Sequence, residues 1–155
     1  MYSHKYHLNL YENFFQSELG KKFVNLLMVN GKKNIAKKIL LICLLLIKNS
    51  EKGDPVDILK NAIKNTTPGV EVRTIVIRRT KFQIPIPLKK ERRLALAIKW
   101  IINTAKNKNK KVPIYTKLKE EILLAHIKQG VSFKKKKTIH HLANSNRAFS
   151  HYRWF

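Results

Sequence analysis

The residues of this 155-residue chain whose types and spacing suit chemistry are mostly cations. Four stand in "VEVRTIVIRRTKFQIPIP", residues 70–87. Both halves of that stretch alternate with period two, so it reads as two strands and a short charged connection. Arg73, Arg78, Arg79 and Lys81 would offer phosphate contacts there, with the arginines also able to stack on bases. A second set lies in the tail. His140, Asn144, Arg147 and His151 recur at intervals of four, three and four, so a helix would carry them on one face. Such donors suit phosphates and ribose hydroxyls, although a merely solvated face would look the same. The run Lys134, Lys135, Lys136 and Lys137 just before them tips the reading toward RNA. A third set is Arg92 and Lys99, seven apart, with Arg93 beside them, and Lys33 and Lys37 lie off the apolar stripe of an earlier helix.

Catalytic chemistry has little to work with. Cys43 is the only cysteine and lies inside "ILLICLLLI" (39–47), which favours a structural thiol over a nucleophile and leaves no Cys cluster for zinc. The acids are scattered. His4 and His7 would share a metal only on a helical arm, and the adjacent His140 and His141 point in different directions. "NGKKN" (30–34) is a helix–helix turn with lysines and not a phosphate loop. No catalytic residue, metal or cofactor is expected. Trp100 reads as a core or helix-packing residue, while Trp154 and Phe155 suit either packing on the body or stacking on a base.

The charge balance points the same way. Lys and Arg number 33 against nine acids, a net charge of +24, which opposes compaction and calls for a polyanionic partner. Seven of these cations are Arg and the rest Lys, a bias that fits a genome rich in adenine and thymine. The longest apolar run, residues 39–47, is well short of the about 20 residues a membrane span needs.

These side chains need a scaffold, and the pattern supplies a mainly α one. Residues 1–16 lack a period and predict an extended arm; 17–155 form a single domain. Leu19, Phe23, Leu26 and Leu27 mark a first helix ended by Asn30-Gly31. A second, apolar nearly all round from Leu40 to Ile47, is expected at the centre of the core. Asp54 and Pro55 start a third. The ribbon, about 70–87, follows. A fourth helix is expected over 90–105, a fifth over 116–129 and a sixth over 138–152, with the lysine run as the loop before it. The expected architecture is a six-helix bundle-like domain with one projecting two-stranded β-ribbon between the third and fourth helices. Pro85 and Pro87 confine the second strand to an edge or a free ribbon.

Four stretches, in order, make the chain resemble the family of the seventh protein of the small ribosomal subunit, in its bacterial and organellar form. They are "FVNLLMVNGKKNIAKKI" (23–39), "DPVDILKNAIKNTTPGVEVR" (54–73), "ERRLALAIKWI" (91–101) and "HHLANSNRAFSHYRW" (140–154). The resemblance covers roughly residues 20–155. It implies a non-enzymatic protein that binds the 3′ major, or head, domain of small-subunit ribosomal RNA early in head assembly. Neighbouring head proteins, and transfer RNA and messenger RNA near the exit site, are the other implied partners, with no membrane. Carried onto matching positions, the RNA surface includes Lys32, Lys33, Arg73, Arg92, Arg93, His140, Asn146, Arg147, His151 and Arg153. The ribbon departs from the family where Arg78 and Arg79 replace its usual Gly-Gly turn, and the basic N-terminus is reduced to His4, Lys5 and His7. Residues 1–15 carry no import pattern. With the lysine bias, this predicts an organelle-encoded protein of the mitochondrial matrix and its ribosome, a plastid or bacterial cytoplasm being the alternatives. The rival function is a basic DNA-binding architectural or regulatory protein. A peripheral membrane protein fits less well, because the lysines cluster in loops and at helix starts.

Overall fold

Ser17 and Asp54 act as their types predict. In the computed structural model, which describes residues 11–108 and 111–153, the Ser17 hydroxyl oxygen accepts from the Gly20 N–H (3.2 Å) and opens helix α2 (Glu18–Leu27). The Asp54 carboxylate accepts from the Val56 N–H (3.0 Å) and opens α4 (Pro55–Thr66), with Pro55 at its first position. Between them α3 (Lys33–Ser50) carries the apolar run, and Leu40, Cys43, Leu44 and Ile47 are wholly buried. Asn30 and Gly31, both at positive φ (51° and 72°), make the α2–α3 turn.

The chain then forms the antiparallel pair β1 (Val70–Ile77) and β2 (Thr80–Pro87), followed by α5 (Lys90–Asn107), α6 (Ile114–His126), α7 (Val131–Ser145) and a 3₁₀ helix (Arg147–Tyr152). The expected mainly helical domain with one ribbon is therefore what forms. The centre of packing is α6, which lies against α3, α4, α5 and α7. Its Leu118, Ile122 and Ala125 meet Ile98, Ile101 and Ala105 of α5 in one core.

Several boundaries differ from the sequence reading. Residues 12–16, expected within an extended arm, form a short helix α1 (Glu12–Gln16), and Tyr11, Phe14 and Phe15 are buried in the core. Three large aromatics gain more by burial than a solvated arm would. The rest of that arm, including His4, Lys5 and His7, lies outside the described residues, as do Trp154 and Phe155. The last helix begins at Val131, not near 138, so the lysine run is helical. It then ends at Ser145, and residues expected to continue it wind as a 3₁₀ helix. The fifth expected helix also starts and stops earlier, at Ile114 and His126.

The early start of α7 has a tertiary cause. Glu121 of α6 is wholly buried, and one of its carboxylate oxygens accepts from both the N–H (3.0 Å) and the hydroxyl (2.6 Å) of Ser132. An anion from another helix thus caps the N-terminus of α7. The other oxygen lies 3.5 Å from the Lys108 ammonium.

Gly20 offers a test of the α1–α2 junction. A Cβ there would collide with the backbone carbonyl of Phe14. Helix propensity alone favours Gly20→Ala by about 1 kcal/mol, whereas displaced backbone costs about 1–3 kcal/mol. Gly20→Ala is expected to lower the melting temperature; a rise would show that α1 yields freely.

Candidate nucleic-acid interface

Among the described residues no third strand completes the ribbon, and a lone two-stranded ribbon is marginal in water. Its root is held in several ways. Ile84 is fully buried, and Leu88 just beyond the strand is buried too. The Leu88 N–H donates to the Gly69 carbonyl (3.2 Å), and the Arg93 Nε donates to the Leu88 carbonyl (2.8 Å). Arg92 grips Glu71 through Nε (3.1 Å) and Nη2 (3.0 Å). The hydrogen bond from Arg92 holds the Glu71 carboxyl below its usual range. From α7, the Nε2 of His140 accepts the Gly69 N–H (3.1 Å). Higher up, Phe82 packs on Phe149 (5.2 Å) and Tyr152 (5.7 Å) of the 3₁₀ helix.

The tip is different. Ile77 pairs with Thr80, so Arg78 and Arg79 alone make the turn. Both have positive φ, 45° and 69°. That is the two-residue hairpin geometry usually filled by Asn-Gly, and a left-handed non-glycine residue costs about 1–2 kcal/mol. Arg78, Arg79 and Lys81 are exposed and make no hydrogen bond or ion pair with the described residues. Strain of this kind collects at functional positions, here with two guanidinium groups thrown outward. Val76, 64% exposed, adds an apolar side chain to the tip.

Arg73 does not belong to that group. It pairs with the buried Ile84 in the basal half of the ribbon. At about 3.4 Å per residue it stands roughly 17 Å from the turn. It remains exposed, facing solvent near the body.

The predicted polar stripe of the tail is divided. His140 faces the ribbon root; burial, with the neighbouring Lys136 second, lowers its pKa from 6.5. Asn144 is exposed on α7. The helix breaks at Asn146, whose side chain donates to the Leu142 carbonyl (2.8 Å) and to Gln83 of the ribbon (3.5 Å). Arg147 and His151, both exposed, follow on the 3₁₀ helix at its different pitch, with His151 against the Tyr152 ring (4.2 Å). Arg153 donates to the Ser150 carbonyl (3.1 Å).

The lysine run, now on α7, points several ways. Lys136 donates to the Asn65 carbonyl near the C-terminus of α4 (2.8 Å), and burial lowers its pKa. Lys137 lies over the Phe133 ring at 5.2 Å. Lys134 and Lys135 instead flank Trp100. Lys32 and Lys33 are exposed at the α2–α3 turn, Lys37 is half-buried one turn later, and Lys99 is exposed on α5.

The structure thus separates two roles that one list of cations concealed. Arg92, Arg93, Lys136, His140 and Asn146 hold the ribbon and the tail to the body. Arg78, Arg79, Lys81, Lys32, Lys33, Lys99, Lys134, Arg73 and Arg147 are left facing solvent. The anchors could not be read from sequence, because their partners lie at least 21 residues away or are backbone atoms. Cys43 is buried and its thiol is pushed up to about 12 by burial, unsuited to nucleophilic attack. Among the described residues no His/Cys/Asp/Glu group could hold a metal, and no helix is long and apolar enough to cross a membrane.

Comparison with known proteins adds the family. The model of ribosomal protein S7p/S5e matches residues 3–147. The mitochondrial small ribosomal subunit protein uS7m of Reclinomonas americana is 37% identical over 145 residues, 94% of this chain and 91% of that protein. The small ribosomal subunit protein uS7 of Thermotoga neapolitana is 41% identical over 136 residues, covering 88% and 87%. That of Rhodobacter capsulatus is 40% identical over 133 residues, covering 86% and 85%.

Two outcomes follow. Arg78→Asn with Arg79→Gly is expected to raise stability by about 1–2 kcal/mol by relieving the turn while weakening binding to small-subunit RNA; melting and filter binding on one preparation read both, and undiminished affinity removes the tip from the interface. The second concerns pH. His140 holds its proton less readily folded than unfolded, so its contribution is present above about 6.5 and is lost as pH falls through the lower folded value. The melting temperature is expected to fall more steeply between pH 7 and 5.5 in the native chain than in His140→Gln, and parallel profiles would remove His140 as the cause.

Proposed function

This chain belongs to the ribosomal protein S7p/S5e family, and from that premise we propose that it is a structural constituent of the small ribosomal subunit that binds the head domain of its ribosomal RNA. The family is one of structural components and not of enzymes. The observation that carries the RNA reading is the ribbon: anchored by three elements of the fold, α5, α7 and the 3₁₀ helix, and strained at its tip to display Arg78 and Arg79. A projecting arm of this build gains little from its own protein and much from a polyanion. The surplus of 24 positive charges supports the same partner, since nine acids cannot neutralise 33 cations.

The exposed lysines of the α2–α3 turn, Lys99 on α5 and Arg147 on the 3₁₀ helix extend the proposed surface beyond the ribbon. The proposed contacts with the head then involve several elements, and the family likeness supports transfer RNA and messenger RNA near the exit site as further partners in this reading. Neighbouring head proteins complete the set of partners. For compartment we propose the mitochondrial ribosome. The lysine-rich, arginine-poor composition and the likeness to a mitochondrial relative support it; bacterial relatives of similar identity carry the alternative.

Binding to a small-subunit head-domain transcript is expected to weaken by roughly 10³- to 10⁵-fold between 50 and 200 mM salt if 6–10 phosphates are neutralised. Duplex DNA of equal length should compete poorly. Preference for DNA at equal salt, or absence of the chain from small subunits in gradients of the source's ribosomes, would end this reading.

A further inference from the structure

Trp100, expected from sequence to be core or packing, lines an open groove of about 270 Å³. Its other walls come from the first half of α7: Val131, Lys134, Lys135, Thr138 and Ile139. Val131 is 49% exposed, so apolar surface stands in water. The Thr138 hydroxyl is already spent, donating to the Lys134 carbonyl (3.1 Å). What the groove offers a ligand is an indole and aliphatic carbon, including the stems of two lysines whose flexible ammonium groups can reach its rim. Neither lysine's ammonium makes an ion pair or hydrogen bond with the described residues.

The chemistry of the occupant follows by elimination. An apolar protein side chain would cover the indole and leave two cations beside it without neutralisation. A paired RNA backbone would satisfy the lysines and leave the apolar floor wet. An unpaired nucleotide uses both, its base against the indole and its phosphate on the lysines. We propose that the groove between α5 and α7 holds one unpaired nucleotide of RNA, with Trp100 as the stacking surface and Lys134 and Lys135 as phosphate contacts. The inference rests on the RNA-binding reading above and adds to it a residue, Trp100, that no sequence signal marked for binding. It also gives the helical lysine run a use: the early start of α7, capped by Glu121, is what sets Lys134 and Lys135 beside Trp100.

The chain has two tryptophans, so Trp154→Phe leaves Trp100 as the only indole. In that background a short single-stranded oligoribonucleotide is expected to quench Trp100 fluorescence, and a blunt RNA duplex of the same length at the same salt is not. Trp100→Leu in the native background should lose roughly tenfold in single-strand affinity. Because that change also touches helix packing, Lys134→Ala with Lys135→Ala serves beside it and should shift the quenching curve to higher concentration. Absence of quenching, or equal quenching by duplex, overturns the nucleotide pocket. Filter binding of the native chain to the head-domain transcript separates the two levels: binding by the native chain without quenching in the Trp154→Phe background sinks only the pocket, and no binding by the native chain sinks the RNA reading with it.

Discussion

A two-stranded ribbon without a neighbouring sheet cannot hold itself up, and much of this molecule is arranged around that fact. Ile84 gives it a buried foothold, and a fully buried aliphatic side chain is worth about 1.5–3 kcal/mol. The Gly69 amide is taken by His140 and the Gly69 carbonyl by Leu88, so the backbone at the strand entrance is satisfied from both sides. Glu71–Arg92 adds a forked ion pair; at its exposure this supplies orientation more than stability. The aromatic contact of Phe82 with Phe149 and Tyr152 ties the ribbon to the C-terminal 3₁₀ helix. The ribbon and the tail are therefore packed into one surface.

Electrostatics is handled by sorting the cations. Those near backbone carbonyls or acids are used internally: Arg93 on Leu88, Lys136 on Asn65, Lys108 beside Glu120 and Glu121. Each neutralises a local excess of negative potential, as cations at helix C-termini commonly do. Others, among them Arg78, Arg79, Lys32, Lys33 and Lys99, stand exposed on turns, ribbon tip and helix faces, where like charges repel in the free chain. Strain at Arg78 and Arg79 fits the same division. A glycine-bearing turn would stabilise the isolated protein, and the chain carries arginine instead.

Much of the fold was legible because local physics agreed with the final structure. Asp54-Pro55 began a helix where expected, Asn30-Gly31 turned the chain, and Arg78-Arg79 stood between two alternating strands. The lysine run misled for a physical reason: mutual repulsion disfavours a helix start, and only a buried carboxylate from α6 reverses that. The aromatic residues 11–15 misled because their period is too short to register as a helix, although the core had room for them.

The composition and spacing determined that the chain is helical, that one ribbon interrupts it, and that its surface carries a large cationic surplus, because apolar periodicity, turn chemistry and net charge are local or additive properties. Which cations face outward was decided only in three dimensions. His140 and Arg147 look alike on a helical projection, but one meets Gly69, 71 residues away, and the other meets solvent. That difference depends on partners that sequence order separates and packing brings together, and no property of either residue alone contains it.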